Sequence, residues 1–175
     1  MTRILVVDDH PVVAEGWNRI VRCVSGSEVV FAATPLAALR ESRKAMPQML
    51  VADISFGEDR LAGVKFISRV RRHDRRLPIL VFSMHRGPVI VRQALQAGAN
   101  GFVNKDAAPE EIQTAFLSVL RGGRYLAADM AQRLAFLDML DPDAPPLPSL
   151  SRRETEILAL IAAGRSYREI AEQSF

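Results

Sequence analysis

Short, unbroken apolar runs recur along the first two-thirds of the chain, at Ile4–Val7, Val29–Ala32, Met49–Ala52, Ile79–Phe82 and Gly101–Val103. Runs that do not alternate with polar residues fit strands buried on both faces, as in a parallel sheet covered by helices. The segments between them carry apolar residues at helical spacing instead. The first holds Val13, Trp17, Ile20, Val21 and Val24, and the second Leu36, Ala37 and Leu39. Val64, Ile67 and Val70 mark a third, and Ile90, Ala94 and Leu95 a fourth. The fifth carries Ile112, Ala115, Phe116, Val119 and Leu120 and runs into Gly122-Gly123, a helix stop. Five strands alternating with five helices predict a doubly wound α/β sheet.

A further helix is predicted from about Ala127 to Leu140, and then the pattern changes. Asp141-Pro-Asp-Ala-Pro-Pro-Leu-Pro-Ser149 places four prolines at positions 142 to 148, which neither a helix nor a central strand tolerates. This stretch predicts a semi-rigid, extended linker. Ser151-Arg-Arg-Glu154 then has capping-box spacing and opens an amphipathic helix through Ile157, Leu158 and Ile161. Ala163-Gly164 closes that helix, and another begins near Ser166 with Tyr167, Ile170 and Ala171.

Composition narrows the class. No apolar run approaches the ~20 residues needed to span a bilayer, and the N-terminus lacks a signal-peptide core. The single Cys23 has no internal partner and no Cys/His cluster has zinc spacing, so a cytoplasmic location without membrane attachment is expected. A net charge of +3 permits a nucleic-acid partner without requiring one.

Chemistry concentrates at the strand ends. In an open α/β sheet the binding crevice lies beyond the carboxyl ends of the strands, where strand order reverses. The first strand runs into Asp8-Asp9, the third into Asp53, the fourth into Ser83, and Lys105 follows the fifth. Each alone has an ordinary explanation: Asp9 as a helix cap, Ser83 as a turn residue, Lys105 as a solvated lysine. Their coincidence at the strand ends of one sheet favours a site. Crowded carboxylates resist ionising unless a cation neutralises them, and Mg²⁺, with its preference for carboxylate, water and phosphate oxygens, answers that need. An Asp carboxylate can act as nucleophile in phosphoryl transfer. Lys105 supplies a point charge for the transferred group and Ser83 a neutral donor.

These residues resemble the receiver domain of two-component response regulators, particularly the NarL/FixJ type. The matching stretches are Ile4-Leu-Val-Val-Asp-Asp-His-Pro11, Val51-Ala-Asp-Ile54, Leu80-Val-Phe-Ser-Met-His85 and Ala97-Gly-Ala-Asn-Gly-Phe-Val-Asn-Lys105, within residues 3 to 121. The resemblance implies a flavodoxin-like sheet of order 2-1-3-4-5. It implies that Asp53 is phosphorylated by a sensor histidine kinase, with Asp8, Asp9, Asp53 and the Ser55 carbonyl around Mg²⁺ and with Ser83 and Lys105 gripping the phosphoryl group. It also implies a switch in which Ser83 moves toward the phosphate and Phe102 turns inward; the residues alone equally allow Phe102 to be an ordinary core aromatic. Such a protein is a signalling switch rather than an enzyme, acting only in its own phosphoryl transfer and dephosphorylation. One departure stands out: Asp53-Ile-Ser-Phe-Gly-Glu-Asp-Arg-Leu-Ala-Gly63 lacks the family's proline and reaches its glycine two residues late. A longer, more mobile loop is expected there.

From Leu150 to Glu172 the sequence resembles the start of a LuxR-type helix-turn-helix, with the recognition helix absent. The expected organisation is therefore a receiver at 1–123, a linker helix and Pro-rich linker at 124–149, and an incomplete helix-turn-helix at 150–175. Arg152, Arg153, Arg165 and Arg168 balance Glu154, Glu156, Glu169 and Glu172, so this segment carries no basic footprint. DNA binding and transcriptional control are expected of the full-length protein rather than of this chain, together with a phosphorylation-dependent homodimer. The basic run Arg69, Arg71, Arg72, Arg75 and Arg76 is expected to be a solvated helix end, His10 a surface residue beside the metal site, and Trp17 a packing residue. A haloacid-dehalogenase-type phosphatase needs a second Asp two residues after the first, which Asp8-Asp9-His10 lacks. A flavodoxin-like FMN carrier needs a phosphate loop there, which two aspartates would repel. The remaining alternative is a degenerate receiver acting as a phosphorylation-independent interaction module.

Overall fold

The computed structural model describes residues 2–24, 26–57, 59 and 61–140, with side chains described through 137. The expected helix-turn-helix segment and Pro-rich linker lie outside these residues. Five strands form one sheet: β1 (Thr2–Val7), β2 (Ser27–Ala32), β3 (Met49–Ala52), β4 (Ile79–Ser83) and β5 (Gly101–Asn104). All four strand pairings are parallel, in the order β2-β1-β3-β4-β5. This is the flavodoxin-like order that the resemblance to receiver domains implies. The helices are α1 (Val12–Val21), α2 (Pro35–Ala45), α3 (Ala62–His73), α4 (Pro88–Gln96), α5 (Pro109–Leu120) and α6 (Ala128–Leu140).

The unbroken apolar runs are explained by two cores, one on each face of the sheet. Leu5, Val7, Leu50, Ala52, Ile79 and Val81 point toward α2, α3 and α4. Their neighbours Ile4, Val6, Met49, Val51, Leu80 and Phe82 point toward α1 and α5. On the second face Trp17 meets Phe82 and Phe116 edge-on, with ring centroids 5.2 and 5.8 Å apart. Packing is thus continuous from α1 through the sheet to α5.

Local signals place the helix ends. Thr34 caps α2 by accepting the Ala37 N–H at 3.1 Å, with Pro35 at the first helical position. Pro88 and Pro109 likewise open α4 and α5, there without a side-chain cap. After α5, Gly122 adopts φ +82° and reverses the chain. Tyr125 then runs beside β5, its N–H donating to the Asn100 carbonyl and its own carbonyl accepting the Phe102 N–H. From there α6 buries Met130 and Leu134 in the core on the α4 side.

Two expectations about individual residues change. Leu36, assigned to the buried face of α2, is 59% exposed, and the neighbouring Ala38 is buried instead. Arg71 is not a solvated member of the basic run. Its guanidinium donates to the Gly98 carbonyl at 2.8 Å and to Asn100 Oδ1 at 2.6 Å, tying α3 to the turn before β5. Burial pulls the Arg71 pKa down, against the opposing pull of Asp74. No described helix is long and apolar enough to cross a membrane.

Candidate functional site

Strand order reverses between β1 and β3, because the chain leaves β1 for β2 on one side and later adds β3 on the other. The residues just past these two strands share the crevice. Asp8 and Asp53 are 1% and 5% exposed, and both continue the sheet ladder: Asp8 N–H donates to Ala32 and Asp53 N–H to Val7. The sheet therefore fixes both backbones before any side-chain contact is made.

Lys105 joins the two carboxylates. Its N–H donates to the Ser83 carbonyl at the end of β4, which aims the side chain across the strand ends. The ammonium reaches Asp8 Oδ2 and Asp53 Oδ2, each at 2.6 Å, with the side chain only 11% exposed. Burial acts to lower the Lys105 pKa, but the hydrogen bonds it donates to Asp53 and Asp8, with the attraction of the two carboxylates, outweigh it and the net direction is upward. The ammonium also stands 5.9 Å from the centre of the Phe82 ring, within reach of a cation–π attraction.

The other carboxylate oxygens face backbone and imidazole. Asp53 Oδ1 accepts the Ile54 N–H at 2.6 Å and the Ser55 N–H at 3.4 Å. Asp9 Oδ2 accepts the Gly57 N–H at 3.0 Å. That bond holds Asp9 below the ordinary carboxylate range, outweighing partial burial, with His10 and Lys105 acting in the same direction. His10, with its side chain 67% exposed, places Nδ1 3.2 Å from Asp8 and 2.8 Å from Asp9.

Gly63 explains how the long segment after Asp53 closes. Its N–H donates to the Ile54 carbonyl at 2.7 Å. A Cβ there would lie 2.1 Å from the Asp53 carbonyl oxygen, so only glycine lets α3 begin so close to β3. Within this lengthened segment Phe56 and Asp59 exchange backbone hydrogen bonds, each 3.1 Å. The lengthened loop thus has hydrogen bonds of its own. Asp59 also caps Leu61 and pairs with Lys65.

Three further sequence-predicted residues have definite places. Ser83 is 1% exposed and its hydroxyl meets no hydrogen-bond partner among the described residues. The Ser55 carbonyl likewise accepts no hydrogen bond among them. Phe102, for which both an inward-turning switch and an ordinary core place were open, is 4% exposed and packed in the core that contains Val91, Ala94 and Met130. Phenylalanine has no hydroxyl to draw it toward water, which suits that place.

Sequence reasoning missed His85. Its Nε2 lies 2.7 Å from Ser55 Oγ, and its carbonyl accepts Asn104 Nδ2 at 3.2 Å. Arg86 beside it pairs with Asp106. The strand-end rule stopped at Ser83, and nothing in local periodicity points two residues further.

Asp8, Asp9 and His10 present ligand atoms within 4.8 Å of one another. With Asp53, which shares the Lys105 ammonium with Asp8, the donors are mostly hard oxygens. That set fits Mg²⁺ better than a softer metal.

The chain matches the response regulator receiver domain family over residues 4–117. It is 48% identical to the methanol utilization control regulatory protein MoxX of Paracoccus denitrificans over 172 residues, spanning 98% of this chain and 77% of that one. A crystal structure of a LuxR-family two-component response regulator from Aurantimonas sp. superposes with TM-score 0.71 at 35% identity, covering 79% of this chain and 99% of that one. RcsB of Salmonella enterica serovar Typhimurium, solved bound to a promoter with the phosphomimetic BeF3−, gives TM-score 0.70 at 25% identity, covering 98% and 87%. The chain belongs to the two-component response regulators, and among them to the NarL/LuxR type.

Proposed function

We propose that Asp53 is the phosphoacceptor of this response regulator. A carboxylate oxygen of Asp53 attacks phosphorus on a phosphohistidine of a sensor kinase, the P–N bond breaks, and the electron pair leaves with the imidazole. The observation that carries this reading is the Lys105 ammonium held 2.6 Å from both Asp53 and Asp8 in a nearly closed crevice. Lys105 has three donors, so it can take a phosphoryl oxygen while keeping Asp8. The Ser83 hydroxyl is an unused buried donor whose missing partner costs about 1–3 kcal/mol, and a phosphoryl oxygen would supply that partner. Asp8, Asp9, Asp53 and the Ser55 carbonyl would hold Mg²⁺, which when bound supplies the positive charge that transfer to a carboxylate cluster needs.

Output follows from the other strand ends. Ser83 moving toward Asp53 would free space beside β5. Phe102, already inward, would then shift within the cavity of about 240 Å³ that it lines with Leu126 and Met130 of the α6 region. We assign 1–123 to the receiver, 124–149 to the linker and 150–175 to a helix-turn-helix segment. In this reading phosphorylation in the cytoplasm promotes dimerisation through α1 and α5 and controls DNA binding and transcription. Chemistry is confined to the chain's own phosphorylation and dephosphorylation.

Acid-labile labelling by acetyl phosphate with Mg²⁺ tests the assignment. The wild-type chain is expected to take up label that chelation abolishes, and Asp53→Asn none. Equal labelling of the two chains, or none in either, would sink it.

A further inference from the structure

We infer that His85 is a positioning residue for the metal side of the site, holding Ser55 in place by its hydroxyl. The inference rests on the Mg²⁺ assignment above and extends it to a residue outside the ligand set.

The segment after Asp53 has three backbone anchors. Gly63 N–H binds the Ile54 carbonyl, Phe56 and Asp59 exchange bonds, and Gly57 N–H binds Asp9. The Ser55 peptide sits between these anchors. Its N–H reaches Asp53 at only 3.4 Å, and its carbonyl meets no donor among the described residues. Among the described residues, the one short hydrogen bond of Ser55 is with His85 Nε2, at 2.7 Å across 30 residues of sequence. Either partner can donate, depending on the imidazole tautomer.

His85 is itself held. Its carbonyl accepts Asn104 Nδ2, and Asn104 Oδ1 in turn accepts the Asp106 N–H at 3.1 Å. Arg86 pairs with Asp106 on the same side. A clasp therefore runs from the end of β5 through His85 to Ser55. It joins the loop that follows Ser83 at the end of β4 to the loop that contains Ser55. Both Ser55 and His85 are half-buried, so the contact is shielded without being essential to the core.

Partners that orient metal ligands are worth about 10- to 100-fold in metal affinity. The test is an Mg²⁺ titration of the 175-residue chain without phosphodonor, followed by amide chemical shifts of residues 8, 9 and 53–57. His85→Ala is expected to weaken Mg²⁺ binding about 10-fold, at the low end of that range, with an unchanged melting curve. Ser55→Ala should weaken it equally, and the double variant no further, because both remove one contact. His85→Gln keeps a side-chain donor and acceptor and should restore most of the affinity. Wild-type affinity in His85→Ala, or losses that multiply in the double variant, would overturn the positioning role and leave the Mg²⁺ site intact. Absence of Mg²⁺-dependent shifts in the wild-type chain would overturn the site and this inference together.

Discussion

Val6 and Val7, at the end of β1, are buried among aliphatic side chains; Asp8, the next residue, is equally buried and can carry a charge. Buried polar residues likewise follow Ala52 and Phe82: the carboxylate of Asp53 and the neutral hydroxyl of Ser83. Inside the sheet each buried side chain adds stability at about 25 cal/mol per Å² of apolar surface. At the carboxyl edge, desolvated carboxylates cost stability unless paired, and Lys105 provides the pairing. The edge is held in shape by the interior, since the backbones of Asp8, Asp53 and Lys105 are fixed by ladder hydrogen bonds. Stability and chemistry are therefore separable here, although the residues that carry them are adjacent.

Substitutions in the two regions should separate these properties. Asp53→Asn is expected to abolish phosphoryl labelling while leaving the melting temperature within a few degrees of wild type; a large loss of stability would show the edge to be structural. Lys105→Met should slow acetyl-phosphate labelling about 100-fold, the scale of losing one preorganised charge-stabilising group. Unchanged labelling kinetics would place the phosphoryl group away from Lys105. Phe116→Ala, in the interior, should cost about 3–5 kcal/mol in urea unfolding yet leave labelling at Asp53 in folded protein. Gly63→Ala lies where the regions meet, and pushing α3 off the Asp53 carbonyl should cost about 1–3 kcal/mol and slow labelling as well. An effect on stability alone would mean that the loop does not set the position of Asp53. The smallest effect belongs to Ser83→Ala, which removes an unpartnered buried hydroxyl. Unphosphorylated protein should gain up to about 1 kcal/mol in the same unfolding assay, and a clear loss would reveal a partner for that hydroxyl.

The strands were legible because a parallel sheet covered on both faces needs unbroken apolar runs, and Met49–Ala52 or Ile79–Phe82 can be little else. The convergence of Asp8, Asp53 and Lys105 was legible for a topological reason: parallel strands all end on one edge, so residues far apart in sequence meet there. Contacts fixed by tertiary placement were not. Leu36 and Ala38 share a helical pattern that suits either as the buried residue, and α2's position over β1 and β2 decides between them. Arg71 looks like its basic neighbours until the turn at Gly98 and Asn100 presents two acceptors to it. The approach of Gly63 to Asp53 and the meeting of His85 with Ser55 depend on loop paths that carry no periodicity. For Phe102 the sequence left a switch position and a core place both open; its 4% exposure follows from apolar transfer.

The chain's single tryptophan has an optical consequence. Trp17 is 1% exposed, enclosed by Phe82 and Phe116. Its emission in the folded protein should come from one chromophore in a dry, apolar setting, blue-shifted from that of the unfolded chain. Phe82 touches this indole and also lies 5.9 Å from the Lys105 ammonium. The native sequence thus carries its own spectroscopic label, one aromatic ring from the crevice, and no dye or engineered residue is needed to follow folding.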